Sequence, residues 1–198
     1  MWDARSLGDV VTARSSAAKQ APQRAEHELL ATISTGSRSA MAELYFLYFE
    51  RLATFFVHVT GNADLAEELI SDTMFDVWRE SATIGSDTSV PAWIMGIAYS
   101  HGQMHLARES ACPHVLPSAR PTEHDDALTT TSQKPGSLQG SLLTLPFEER
   151  AVLHFVYFGD YSRQCIADTM NASRERVDVL LAQARHRLRY SKEEVKRQ

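Results

Sequence analysis

Cysteine, long apolar runs and strand-like alternation are all scarce in this chain of 198 residues. Its two cysteines, Cys112 and Cys165, are too few for a disulfide framework, so a reducing cytoplasm is the expected environment. No apolar run approaches the roughly 20 residues of a membrane span, and the polar N-terminus has no apolar signal-peptide core. No segment alternates apolar and polar residues as a strand does. These absences, together with helical apolar spacing in most of the chain, predict an all-α fold.

Positive charge is also scarce, since the formal net charge is −5 at pH 7. This is an argument against nucleic-acid binding, because phosphate contacts normally call for a basic surface. The charge is, however, uneven along the chain. Between Ser37 and Ser110 ten carboxylates accompany four arginines, whereas between Ser141 and Tyr190 seven arginines accompany six carboxylates. This distribution suits a front half that meets a basic protein and a back half that meets DNA.

Apolar periodicity divides the chain into two helical domains joined by a flexible linker. Four helical patterns precede the linker, the last of them opened by Pro91, which suits a first helical turn. The linker is rich in Pro, Ser and Thr and has no apolar periodicity. The predicted segments are a disordered N-terminus (1–21), a first domain (22–111), the linker (112–140), a second domain (141–190) and a tail (191–198). A long polar linker would let the two domains dock independently.

The most informative stretch is 161–189, whose apolar spacing is that of a helix-turn-helix. Asn171 occupies the position where the chain must turn through a left-handed conformation, and Ser173 can cap the second helix. A plain packed helical hairpin shares part of this pattern, but the full set is typical of a motif that reads DNA. The positions that carry the pattern are Ile166, Ala167, Met170, Asn171, Val177 and Leu180.

Three segments together resemble an extracytoplasmic-function (ECF, group 4) sigma factor of the sigma-70 family. Each motif alone is weak, but their order and separation are specific. The motifs are Ala66-Glu67-Glu68 and Val77-Trp78, then Ala92-Trp93 and Ile97-Ala98, and finally Leu145-Pro146, Arg150, Ile166-Ala167, Val177 and Ala184-Arg185. The resemblance implies sigma domain 2 in front and sigma domain 4 behind. It also implies a cytoplasmic transcription initiation factor, not an enzyme and without a cofactor, that binds core RNA polymerase and promoter DNA and is controlled by an anti-sigma factor.

The resemblance assigns three sets of site residues. The second helix of the helix-turn-helix would read the −35 element through Ser173, Arg174, Glu175, Arg176, Asp178, Val179 and Ala182. The helix after Pro91 would read the −10 element through Trp93, Tyr99, His101, Gln103, His105 and Arg108. The acidic helix before it would bind the clamp helices of the largest polymerase subunit through Asp64, Glu67, Glu68, Asp72 and Asp76. The competing interpretations are a core aromatic for Trp93 and an ordinary solvated face for the acidic helix.

Two departures leave alternatives open. The −10 and −35 helices hold fewer basic residues than the family usually carries, so a second hypothesis is a decoy that titrates an anti-sigma factor without productive promoter binding. His101, His105, Cys112 and His114 could together bind zinc, but the spacing matches no familiar zinc signature, and no metal is predicted. Cys165 is interpreted as a small packing residue, not a nucleophile.

Overall fold

The chain folds into helices throughout the part that the structure describes. This structure is a computed structural model, and it describes residues 24–111, 138–159 and 161–195. The helices are α1 (24–34), α2 (Arg38–Thr60), α3 (Ala63–Glu80), α4 (Val90–Ala111), α5 (Leu138–Leu143), α6 (Phe147–Tyr157), α7 (Arg163–Thr169) and α8 (Arg174–Val195). The all-α prediction is confirmed, and within these ranges no helix is long and apolar enough to cross a membrane. The N-terminal segment predicted to be disordered lies outside the described residues.

Capping side chains and a glycine fix where the first long helices begin and end. The Ser37 hydroxyl accepts a hydrogen bond from a backbone amide in the first turn of α2. α2 ends at Gly61, whose φ of 75° lies in the left-handed region that favours glycine. Asn62 follows at once and accepts hydrogen bonds from the amides of Asp64 and Leu65, at 3.0 and 3.3 Å. α2 and α3 therefore form a tight antiparallel hairpin.

We call α1–α4 the front lobe. Its core is formed by aliphatic side chains at helical spacing, among them Leu44 and Leu52 of α2, Val77 of α3 and Ile94 of α4. α1 is tied to α2 because the Tyr48 hydroxyl donates to a carboxylate oxygen of Glu26 at 2.9 Å. Burial raises the pKa of Tyr48, so this hydroxyl keeps its proton.

α5–α8 form the back lobe, and it packs directly against the front lobe. The rings of Phe55 on α2 and Phe155 on α6 stack with their centroids 5.3 Å apart. α4 approaches α6 closely at Gly102, where an added Cβ would lie 3.1 Å from the ring of Phe147. We call this contact surface the inter-lobe interface. The two lobes share one continuous hydrophobic core, so in this structure they do not behave as the independent units expected from the linker.

Two helix boundaries differ from the predicted ones. α5 begins at Leu138, although a linker was expected as far as residue 140. The last linker residues that disfavour helix, Pro135 and Gly136, precede Leu138, so nothing stops the helix from starting there. α8 continues to Val195, past the predicted domain end at 190, because no proline or glycine follows Arg189.

Candidate nucleic-acid and protein-binding surfaces

The helix-turn-helix spacing produces the expected geometry in α7 and α8. Asn171 has a φ of 48°, so the turn passes through the left-handed conformation that asparagine tolerates. The Ser173 hydroxyl accepts a hydrogen bond from the Arg176 amide at 3.2 Å and caps α8. Ala167 and Val177 are buried where the two helices meet. The predicted motif is therefore present, with the first turn of α8 at the surface.

The α8 residues assigned to the −35 element are exposed, but two of them already have ionic partners. Arg176 donates to a carboxylate oxygen of Glu148 at 2.6 Å, and Asp178 pairs with Arg163 on α7. These two ion pairs join α8 to α6 and to α7 within the back lobe. Arg174 and Val179 lie on the outer surface, and Val179 keeps 46% of its surface exposed. The remaining exposed members of the set are Ser173, Glu175 and Ala182.

The acidic face of α3 divides into four exposed carboxylates and one that is engaged internally. The exposed members are Asp64, Glu67, Glu68 and Asp72. Asp76 is only half-exposed, because His101 Nε2 lies 2.9 Å from one of its oxygens and Arg79 lies 2.9 Å from the other. Asp76 therefore joins α3 to α4 and does not belong to the same open surface. Trp78 packs against the core beneath.

An exposed aromatic patch on the front lobe was missed by the sequence reasoning. Phe46 is 79% exposed and lies on α2 beside Leu47 and Phe49, while Phe75 projects from α3 with 64% exposure. A signal existed, because α2 carries more apolar residues than one buried stripe can hold. Phe46 and Phe49 lie one turn apart on α2 and both contact the ring of Tyr45, and large exposed apolar side chains that lie together are typical of protein-binding sites.

The α4 residues assigned to the −10 element are not equally accessible. Gln103 and Arg108 are exposed, whereas Trp93 is half-buried, packing against the core on one side and lining a cavity on the other. Tyr99 is only 5% exposed, and its ring packs against Phe147 of the back lobe with centroids 5.3 Å apart. Burial raises the pKa of Tyr99 to about 12. With the lobes packed together, Tyr99 offers no face for stacking a base.

Two cavities border α4. One of about 480 Å³ lies beside Trp93 and is lined by Thr88 of the loop before α4, Asp76 of α3 and Thr169 of α7. A second of about 390 Å³ separates Tyr99 from the helix-turn-helix. α4 comes close to α7 between them, because a Cβ added at Gly96 would lie 3.4 Å from the Thr169 carbonyl oxygen. The part of the candidate −10 surface around Trp93 and Tyr99 thus faces the back lobe.

The histidines of the zinc alternative have other neighbours. His101 is bonded to Asp76, and His105 Nε2 lies 3.4 Å from a carboxylate oxygen of Glu109. Cys112 and His114 lie outside the described residues, and within the described ranges no three metal-binding side chains cluster. Cys165 is half-buried, and burial raises the pKa of its thiol, which fits a packing role.

The described residues form two helical lobes, and the back lobe carries a helix-turn-helix. Proteins with this architecture include sigma factors of bacterial RNA polymerase, and the chain is similar to them in sequence. Residues 141–190 match the family Sigma-70, region 4. The chain is 26% identical to the ECF RNA polymerase sigma factor SigM of Mycobacterium tuberculosis strain H37Rv over 167 aligned residues. The alignment covers 84% of this chain and 84% of SigM.

Two solved structures share the fold. A sigma factor RpoE, solved with the anti-sigma factor NepR from Bartonella quintana, aligns with a TM-score of 0.58 at 17% identity, over 76% of this chain and 94% of that one. CnrH, solved with the cytosolic domain of CnrY, aligns with a TM-score of 0.60 at 15% identity, over 84% of this chain and 96% of that one. Because the alignments span nearly all of both relatives, the likeness includes both lobes.

Proposed function

We propose that this chain is an ECF sigma factor that binds core RNA polymerase and directs promoter-specific transcription initiation under the control of an anti-sigma factor. The observation that carries the proposal is the helix-turn-helix of α7 and α8, with its exposed first turn, inside a segment that matches sigma-70 region 4. The acidic face of α3 in the same chain supplies a second surface of the kind that meets a basic protein.

In this proposal α8 reads the −35 element and α4 reads the −10 element. The first exposed turn of a recognition helix reaches base edges in the major groove, and an arginine there can bind a guanine through two hydrogen bonds. Arg174 has the position and the chemistry for that contact. Trp93, Gln103 and Arg108 supply stacking surface, hydrogen bonds and one permanent cation for single-stranded DNA.

Promoter binding then requires the lobes to separate. The −10 and −35 elements are roughly 25 base pairs, or about 85 Å, apart along B-DNA. A compact chain of this size has a diameter of only about 40 Å. Residues 112–137, which connect α4 to α5, can span up to roughly 90 Å when fully extended. The packed arrangement is therefore a state that does not engage both elements, and opening exposes Tyr99.

Run-off transcription with purified core polymerase tests the proposal. We expect promoter-dependent transcripts with the full-length chain and none with core polymerase alone. A chain that binds an anti-sigma factor but supports no transcription from any promoter in a genomic library would favour the decoy hypothesis, to which the comparisons lend no support.

A further inference from the structure

Two histidines face each other across the inter-lobe interface. Nδ1 of His58 on α2 lies 3.0 Å from Nδ1 of His154 on α6, a hydrogen-bonding distance. One ring must donate its proton and the other must accept it, so the contact exists only while at least one imidazole is neutral. This hydrogen bond joins the front lobe directly to the back lobe.

The surroundings of the pair are apolar and aromatic. His154 is only 4% exposed, and its ring stacks on Phe158 with centroids 5.5 Å apart and meets the edge of Phe55 at 5.2 Å. The ring of His58 lies 4.5 Å from that of Phe158. An imidazolium placed here would lose most of its hydration.

The charged groups around the pair do not compensate for a second proton. α2 contributes Glu50 and Arg51 to the cavity walls beside the histidines, α6 contributes Arg150, and α8 contributes Arg185. α5 adds only the apolar Leu142, and the Tyr157 hydroxyl accepts from Arg185 Nε at 3.2 Å. Three guanidinium groups against one carboxylate make a positive environment for any added imidazolium.

Burial lowers the pKa of both histidines. For His154 burial is the largest cause and the nearby His58 the second, and together they lower its pKa to about 3. The pKa of His58 is lowered by burial alone. Once the lobes separate, both rings meet water, where an imidazole titrates near pH 6.5.

We propose that His58 and His154 form an acid-sensitive latch that holds the two lobes together when neutral and releases them when protonated. The sign follows from linkage, because protons bind the open chain more tightly than the closed one. The closed arrangement is therefore stable above about pH 6.5 and is weakened as the pH falls below it. Between pH 7.5 and 5.5 the shift of His154 alone raises the open-to-closed ratio about tenfold, and protonation of His58 acts in the same direction.

Two other histidines have ionic contacts that lie within the front lobe and do not cross the inter-lobe interface. His101 lies against Asp76 and joins α4 to α3 within the front lobe. His105 and Glu109 are likewise neighbours on α4. Mild acid should accordingly separate the lobes while each lobe remains folded.

Single-molecule energy transfer between the lobes tests the latch in the full-length chain. Dyes would be attached at Ser71→Cys on α3 and Gln183→Cys on α8, both exposed positions, after replacing Cys112 and Cys165. We expect the open-to-closed ratio to rise at least tenfold from pH 7.5 to 5.5, and this response to disappear in His58→Phe/His154→Phe. The matched control His186→Gln, which replaces an exposed histidine on α8, should keep the full response.

An unchanged ratio in the parent chain, or an undiminished response in the double variant, overturns the latch. If circular dichroism shows that the double variant is unfolded, a pH titration of the imidazole proton resonances of the unsubstituted chain by NMR replaces it as the test. His154 must then titrate well below pH 6 in closed molecules, and titration at an ordinary pH excludes the proposal. Neither measurement uses polymerase or DNA, so a failed latch is distinguishable from a failed sigma function.

Discussion

At the scale of single residues, the contacts of α8 show which of its arginines are available for DNA. Arg176 is held by Glu148 at 2.6 Å, so part of its hydrogen-bonding capacity is used inside the protein. Arg174 is one of the exposed residues of the first turn, where base edges are read. The spacing in the sequence could not separate these two, since the partner of Arg176 comes from α6, far away in the chain.

Arg174→Ala should weaken binding to the preferred −35 sequence by about 1–3 kcal/mol and relax the preference at one base pair, because a bidentate guanine contact is lost. Competition between a panel of −35 variants, measured as run-off product at fixed salt, checks this. Arg176→Ala removes the same charge but should leave the order of preferred sequences unchanged. An identical promoter ranking for the parent chain and Arg174→Ala would remove the assigned role.

At the scale of helices, apolar periodicity predicted α2, α3, α4 and the helix-turn-helix, because each has a stripe that must be buried. It did not predict the inter-lobe interface. Phe55 and Phe56 are adjacent, so they point about 100° apart on α2, yet both are fully buried. Burial of both requires partners on two sides, which α3 alone cannot supply. The width of the apolar surface was thus a readable signal that a second layer covers α2.

The polar contact across the inter-lobe interface could not be predicted from the sequence. Histidine occurs both on surfaces and in cores, so the sequence alone does not reveal that His58 and His154 meet. The two are neighbours only because α6 lies across α2, and that packing depends on contacts between distant segments. Tyr99 was equally ambiguous from the sequence, since an aromatic residue on this helix suits either stacking on bases or packing in a core; the structure packs it against Phe147.

α4 has two glycines that point at the back lobe, and the second offers a test of the closed arrangement. Gly102→Leu should separate the two lobes. Even an added Cβ at this position would lie 3.1 Å from the ring of Phe147, so a leucine side chain must displace that ring. Glycine in a helix costs roughly 1 kcal/mol relative to better helix formers, so α4 itself should become more stable. Small-angle X-ray scattering should report a larger radius of gyration together with unchanged or higher helicity.

The matched control for Gly102→Leu is Gly85→Leu, in the loop before α4. The nearest atom to an added Cβ there is the Thr88 hydroxyl at 3.5 Å, an ordinary contact. The radius of gyration of this variant should equal that of the parent chain. A compact Gly102→Leu protein would mean that Phe147 moves aside without loss of the interface.

At the scale of the whole molecule, the chain is an acidic front lobe packed on a back lobe of nearly balanced charge. The front lobe presents the exposed carboxylates of α3 and, on α2 and α3, the exposed aromatic side chains of Phe46 and Phe75. Charge speeds and orients an encounter, while buried aromatic side chains supply much of the affinity once contact is made. An anti-sigma factor and core polymerase would, in the proposed function, compete for this surface.

Reversing Glu68 and Asp72 to Lys should slow and weaken association with core polymerase, because both carboxylates are exposed on α3 and would face a basic surface. Folding should be unaffected, since neither side chain is buried. The double variant Glu28→Lys/Asp87→Lys changes the net charge equally but acts at exposed positions outside α3 and away from Phe46. Association rates at low salt, where exposed charges are screened least, should therefore fall much more for the α3 pair than for the control. Equal rates for the two double variants would show that only the overall charge matters, and unchanged rates for both would remove α3 from the polymerase-binding surface.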